Sequence, residues 1–340
     1  MSGTAKKRAV VIGGMNIDIQ GRSRLTFRAG DSNPGEVRVT PGGVGRNIAE
    51  NLLRLDFTTS LISVVGDDEY GAALLRSAGE IGLDLSASLR LEGRPSPVYL
   101  CLLDEDGRLV GAVAAMDELD RLDPSYLRER FDVIDGADLL VIEANLSAQS
   151  LEILALRYGR GGELETRGLA RPFLVFDTVS AAKAGRGKAI LGFCDLMKPN
   201  LAEAALLAGV DLETCKEGDE SPDLGRLARG FGEACGAAGR DVFISLGSGG
   251  LYFEGRVGKE VVRGIARAPA IPVVNVSGAG DAAVASLAWA AMGNSTLEER
   301  ARLAVAAAAL AASAAETVSP SMCAEEIRGI ARGVICERLP

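Results

Sequence analysis

Short apolar runs of strand length alternate with helical stretches along almost the whole chain, and this alternation leaves few folds open. The runs are residues 8–13 (RAVVIG), 60–65 (SLISVV), 138–144 (DLLVIEA), 173–178 (FLVFDT), 195–197 (DLM) and 241–247 (DVFISLG). Helical spacing falls between or after them, at 44–55, 69–82, 147–158, 200–208, 223–236, 279–292 and 297–316. In the first of these, Ile48, Leu52 and Leu55 recur on one face. Strands alternating with helices describe a mostly parallel sheet covered on both faces. An α/β fold is therefore expected, as a single unit over residues 1–340, with ligands beyond the carboxyl ends of the strands.

Two segments break the alternation. Residues 97–114 (PVYLCLLDEDGRLVGAVA) read as a hairpin turning at Asp104–Gly107. Residues 19–40 are polar, turn-rich and partly alternating. Together they suggest a small separate sheet, inserted as lid segments at about 19–40 and 97–116, since a long excursion from a compact domain often covers a site. The Gly/Arg-rich stretch 158–172 reads as a surface loop with no assignable role.

Composition narrows the chemistry. The 340 residues contain no histidine, which removes Ser-His-Asp and Cys-His catalysis and the usual zinc sites. A net charge of −9 without charge blocks disfavours nucleic acid and favours free small molecules. Cys101, Cys194, Cys215, Cys235, Cys323 and Cys336 form no C-x-x-C pair, and no secretory leader is evident. Reduced thiols in the cytoplasm are expected. The longest apolar stretch, Leu303–Ala312, is too short to span a bilayer, so no membrane partner is expected.

Three glycine-bearing motifs carry the chemical reading. Asn275-Val276-Ser277-Gly278-Ala279-Gly280-Asp281 opens an alanine-rich helix. Glycines admit close ligand approach, and a helix start offers unpaired N–H groups and positive potential, which suits a phosphoryl group in flight. An ionised Asp281 in that first turn can accept the proton of an attacking hydroxyl. A plain glycine turn before a helix would look the same. Thr40-Pro41-Gly42-Gly43-Val44-Gly45-Arg46-Asn47 opens another helix, with Asn47 placed to bond a diol, or else simply caps that helix. The first strand ends in Gly13-Gly14-Met15-Asn16-Ile17-Asp18, which lacks the G-x-G-x-x-G spacing of a dinucleotide fingerprint. A carboxylate at that strand's end is a good acceptor for two vicinal hydroxyls.

These motifs, in this order, resemble the PfkB (ribokinase-like) family of carbohydrate and nucleoside kinases. Lys198-Pro199-Asn200-Leu201-Ala202-Glu203 resembles its N-x-x-E element, and Ser245-Leu246-Gly247-Ser248-Gly249-Gly250 its glycine loop near the nucleotide. The resemblance runs from about residue 8 to about 320. It implies a ribokinase-like doubly wound sheet with a β-sheet lid, ATP as phosphoryl donor, and magnesium. Asp281 would be the base and Gly278, Ala279 and Gly280 the anion hole. Asn200 and Glu203 would organise magnesium and its waters, Glu203 through water, while Ser245, Gly247, Gly249 and Gly250 line the ATP side. The spacing of Asn200 and Glu203 also fits a helix capping box. Asp18, Gly42, Gly43 and Asn47 would hold a sugar diol. Many members have Asp-Thr-Thr where this chain has Asn275-Val276-Ser277; that Asp is linked to monovalent-cation (K⁺) activation in some relatives.

Finer wording resembles the pseudouridine kinases within the family. It lies in Asp31-Ser32-Asn33-Pro34-Gly35, in Arg46-Asn47 after the glycines, and in Asp177-Thr178-Val179-Ser180 with Lys183, where Thr178 replaces a proline. Reading the base would fall to Asn16, Ser32, Asn33 and Asp117, with Asn33 foremost. Other sugar or nucleoside kinases and a non-catalytic ligand-binding relative remain as alternatives. The lid implies a homodimer.

Overall fold

The computed structural model describes residues 6–211, 222–235 and 241–339. Cys215 and the final residue of the expected 223–236 helix lie outside the described residues.

Five strands form the parallel central sheet: β1 (Arg8–Ile12), β4 (Thr58–Ile62), β9 (Leu139–Glu143), β10 (Phe173–Asp177) and β11 (Leu196–Met197), in the order β11-β10-β9-β1-β4. Strand alternation divides the core in two. Ala9 and Val11 of β1 join one apolar cluster, with Ile48, Leu52 and the alanine-rich helices Ala279–Met292 and Leu297–Ala312. Val10 and Ile12 join the other, with Tyr158, Phe176 and Leu154. A strand buried on both faces must be apolar throughout, which is why these strands read as continuous runs.

The chain leaves β1 for β4 on one side and later places β9 on the other side of β1. The strand order therefore reverses between β1 and β9. The crevice at the carboxyl ends of such a pair is where sheets of this kind hold ligands.

The lid is a separate small sheet. β2 (Asn16–Ser23), β3 (Gly35–Gly42), β7 (Val98–Leu103) and β8 (Leu109–Ala115) lie in the order β3-β2-β7-β8. The expected hairpin is present, with Gly107 N–H bonded to the Asp104 carbonyl at its turn. Two features lie beyond the sequence reading. β12 (Val242–Ser245), β13 (Leu251–Val257), β14 (Glu260–Arg267) and β15 (Ile335–Arg338) make an antiparallel sheet. β5 (Val64–Gly66) and β6 (Leu89–Leu91) form a short parallel pair.

The 158–172 stretch is pinned rather than loose. The Asp195 side chain, 3% exposed, accepts two bonds from Arg171, one from Arg160 and one from the Leu174 N–H. Among the described residues, no helix is long and apolar enough to cross a membrane.

Candidate active site

The site assembles where β1 and β9 part. β1 stops at Ile12 and β2 begins at Asn16, so Asp18 sits inside the first lid strand and not, as the sequence reading has it, at the end of the first core strand. Its half-buried carboxylate accepts a bond from Asn16 Nδ2 at 2.6 Å. Burial raises its pKa, against the lowering effects of Asn16 and the Arg46 charge.

The glycines opposite have a steric reason. Gly42 pairs with Asn16 across β2 and β3, and a Cβ on it would fall 2.0 Å from Asp18 Oδ2. Gly43 has φ +100°, and its Cβ would meet the Gly14 carbonyl at 2.5 Å. Only glycine lets these backbones approach so closely. The helix Val44–Arg54 starts at this point, with Arg46 N–H bonded to the Gly14 carbonyl. The buried Arg46 side chain pairs with Glu50 at 2.9 Å, and Glu50 also binds Arg54. Arg46 thus contributes positive charge near Asp18 from a fixed position.

One turn into that helix, Asn47 meets the opening of another. Its Nδ2 donates to Asp281 Oδ2 at 2.8 Å, while its Oδ1 is buried without a partner. Residues 234 apart in sequence are thereby joined. Gly278 caps the helix Ala279–Met292 at φ +80°, and a Cβ there would strike the Thr317 carbonyl at 2.1 Å. Gly280 has only Lys198 Nζ nearby, 3.9 Å from its Cβ position. Just before them, Asn275 closes the loop on itself, its oxygen accepting from Ser277 N–H and its amide donating to the Ala315 carbonyl.

Burial pushes the Asp281 carboxyl up to about 7, helped by the Asp177 and Glu143 charges and opposed by the Asn47 hydrogen bond and Lys198. Glu143, fully buried at the end of β9, is also pushed up to about 7 by burial. It accepts from Gly14 N–H at 2.5 Å and from the Asn145 backbone and side-chain amides at 2.9 and 2.7 Å. A Cβ on Gly13 would fall 2.4 Å from Glu143 Cγ, so the first glycine pair exists to admit this side chain. Lys183 donates to Asn145 Oδ1.

The sequence reading passes over Glu143, Asn145, Asp177 as a charge, and Lys198. One signal was there to use: DLLVIEA ends a buried parallel strand in a carboxylate, where ligand groups are expected.

The two motifs expected on the nucleotide side also converge. Asn200 begins the helix Leu201–Ala208 with a full capping box: Glu203 N–H to Asn200 Oδ1, and Asn200 N–H to Glu203 Oε2, both 2.9 Å. Glu203 Oε2 further accepts from Thr178 Oγ1 at 2.6 Å, and Oε1 from Asn200 Nδ2 at 2.8 Å. Thr178 enters a tight turn in which Ser180 N–H bonds the Thr178 carbonyl and Val179 takes φ +62°. A β-branched residue there is strained. The Asp177 side chain helps hold it, accepting from Val179 N–H at 2.7 Å. Ser245 lies beside Asn200 in a parallel bridge, its N–H on the Pro199 carbonyl and its hydroxyl 3.4 Å from Lys198 Nζ. Exposed Gly247 and half-buried Gly249 form the turn that follows. Gly250, at φ +96°, packs against the Ala266 carbonyl, so it serves the β13–β14 pairing.

Some expected residues stay apart. Ser32 and Asn33 sit at the far tip of the lid hairpin, past the Ser23–Gly35 pair. That is about 17 Å along β2 from Asp18, at ~3.3 Å per residue. Asn33 is spent on the tip itself, accepting from Arg28 N–H and donating to the Arg28 and Asp31 carbonyls. Within one chain, Asn33 and Ser32 are therefore not brought together with Asp18, Asn47 and Asp281. Asp117 is exposed at the end of β8, and its charge reaches Lys183.

Comparison with known proteins agrees with this geometry. Residues 6–322 match the model of the pfkB family carbohydrate kinases. The chain is 30% identical over 331 residues to the pseudouridine kinase of Escherichia coli K12, covering 97% of this chain and 98% of that one. It is equally 30% identical, over 323 residues, to the uncharacterized sugar kinase YeiI of the same organism, covering 95% and 83%. The structure of Arabidopsis thaliana ribokinase complexed with ribose and ATP superposes with a TM-score of 0.75 over 97% of this chain and 99% of that one, at 18% identity.

Proposed function

Because the chain belongs to the pfkB family of carbohydrate kinases, and is thus a kinase of sugars or nucleosides, we propose that it transfers the γ-phosphoryl group of ATP to the 5′-hydroxyl of pseudouridine. The observation that carries the reading is the meeting of Asp281 and Asn47, at the starts of two helices, beside Asp18 and Gly42 of the lid hinge. A ribose whose 2′- and 3′-hydroxyls bond Asp18 and the unpartnered Asn47 Oδ1 turns its 5′-hydroxyl toward Asp281.

In the reaction, Asp281 accepts the hydroxyl proton as the oxygen forms its bond to the γ-phosphorus and the bond to the β-γ bridging oxygen breaks, leaving ADP. The backbone N–H groups of Gly278 and Gly280, joined by that of Ala279 when it leaves the Val276 carbonyl it bonds at 3.3 Å, receive the charge of the moving phosphoryl oxygens, helped by Lys198 beside Gly280. Asn200, Glu203, Ser245, Gly247 and Gly249 face the ATP side. Magnesium, when bound, neutralises phosphate charge. Asn200 and Glu203, whose Oε1 accepts one bond from Asn200 Nδ2, would hold the ion through its waters. A carboxylate at Asp281 and an intact glycine loop also argue against a silent ligand-binding relative.

The preference for pseudouridine rests on the resemblance of Arg46-Asn47 and of residues 177–183, and on the polar line Asn16, Asn145, Lys183 and Asp117 along the nucleoside side. The test is competition between pseudouridine, uridine and free ribose with MgATP, with Asp281→Asn as control. Pseudouridine should win by at least about tenfold, since a site built to bond a group rejects the analogue lacking it. Equal use of all three leaves the enzyme a kinase of another substrate. We further propose a homodimer formed through the outer face of the lid, which is apolar and exposed.

A further inference from the structure

The glycine loop before Asp281 is braced from outside the site. The helix Leu297–Ala312 ends beside it, and the last carbonyls of a helix have no partner within it. The Ala312 carbonyl accepts from the Val274 and Asn275 N–H groups at 2.8 and 3.1 Å. Three residues on, the Ala315 carbonyl accepts from Asn275 Nδ2 at 3.2 Å, while Asn275 Oδ1 accepts from Ser277 N–H at 3.0 Å. A Cβ on Gly278 would stand 2.1 Å from the Thr317 carbonyl oxygen. Residues 274–278 are thus laid along residues 312–317, and Gly278 opens the helix that carries Asp281.

The half-buried side chain at 275 serves two opposite partners, a carbonyl oxygen and an N–H. An amide suits both, since it carries a donor and an acceptor on one carbon. Turned over, it would set oxygen against oxygen and N–H against N–H, so its partners fix its orientation. An aspartate in the same place keeps the Ser277 bond but sets a carboxylate oxygen where the amide nitrogen stands, 3.2 Å from the Ala315 carbonyl oxygen. An ionised carboxylate has no hydrogen to place between them, and the two oxygens repel. A cation between them removes that repulsion, and the C-terminal end of a helix favours positive charge. The wider family motif carries that aspartate, which is linked to potassium activation in some relatives. The residues here do not fit such an ion: an NH2 group stands in place of the charged oxygen and already binds the carbonyl.

We infer that the Asn275 amide takes the place of a monovalent cation in this chain: it ties the glycine loop to the end of the neighbouring helix, and the enzyme works without potassium. Asn275 is a positioning residue that acts through Gly278. The inference rests on the role proposed for that loop where rate is read, and not where stability is read.

The test compares wild type, Asn275→Asp and Asn275→Ala in potassium chloride and in choline chloride at equal ionic strength. Tm is one readout, and kcat/KM for pseudouridine with MgATP is the other. Wild type should give the same Tm and the same kcat/KM in both salts. Asn275→Asp should lose about tenfold in kcat/KM in choline, the cost of a bond replaced by two facing acceptors. Potassium should restore it and raise its Tm, because an ion that binds only the folded chain stabilises it. Asn275→Ala, with neither amide nor carboxylate, should be impaired alike in both salts. A wild type whose Tm or rate is higher in potassium overturns the inference, as does a folded Asn275→Asp that potassium leaves unchanged. If Asn275→Asp folds in neither salt, the wild-type comparison decides alone. A wild type that turns over no pseudouridine in either salt sinks the proposed substrate, and the Tm comparison still decides the brace.

Discussion

Asp281 is placed to be ionised only part of the time at neutral pH. Its folded pKa is raised to about 7, so as pH falls through that value it is protonated and lost to the base role proposed for it. kcat/KM, which reports the free enzyme, should fall about tenfold per unit below pH 7 and level off above it. The Asn47 hydrogen bond acts in the opposite sense, favouring the charged form. Asn47→Ala should therefore move the acid limb to higher pH while also raising KM. A limb that stays put in this variant assigns the titration to another group. The place of Asp281 in the first turn of a helix was legible in the sequence, because glycines before an alanine-rich run mark a helix start. The Asn47 bond was not, because nothing local in residues 40–47 points to residue 281.

At the scale of elements, two glycines of one loop do different things. Gly278 needs its φ of +80° and the space taken by Thr317, so Gly278→Ala should lower Tm as well as activity. Gly280 lies in open space at the first turn of a helix, where alanine is well tolerated. Gly280→Ala should keep Tm and lose rate, because the new methyl group stands where phosphoryl oxygens would. Equal loss of stability in both would deny Gly280 the anion role. Of the two meanings its spacing allowed, Glu203 shows the capping box, and the magnesium role is proposed beside it. Its capping box ties down a helix start, worth about 1 kcal/mol, and its oxygens also hold Thr178. Glu203→Gln should lower Tm modestly and raise the magnesium requirement at unchanged nucleoside KM. A loss of stability with no change in magnesium dependence would leave the cap as its whole role.

For the whole molecule, the outer face of the lid is the feature that one chain does not account for. Val37, Val39 and Val113 are 71%, 53% and 65% exposed, with Leu100 and Leu102 beside them. An apolar sheet face of this kind calls for a cover. Light scattering should give twice the chain mass, and Val39→Asp with Val113→Asp should give a monomer. A monomeric wild type would remove the dimer from the proposal.

Local chemistry determined much of this protein. Continuous apolar runs dictated strands buried on both faces, helical spacing dictated their covers, and glycine-bearing starts marked the two helix openings that meet at the site. Each of those signals lies within about ten residues, where spacing and backbone preference act directly. The structure alone decided which distant groups meet: Asn47 with Asp281, Glu143 with Gly14, and Thr178 with Glu203. It also decided that Asn33 sits at the tip of the lid hairpin, bonded to Arg28 and Asp31, apart from Asp18 of its own chain. Strand order and sheet register settle such meetings, and they follow from packing the entire core, which no single segment carries.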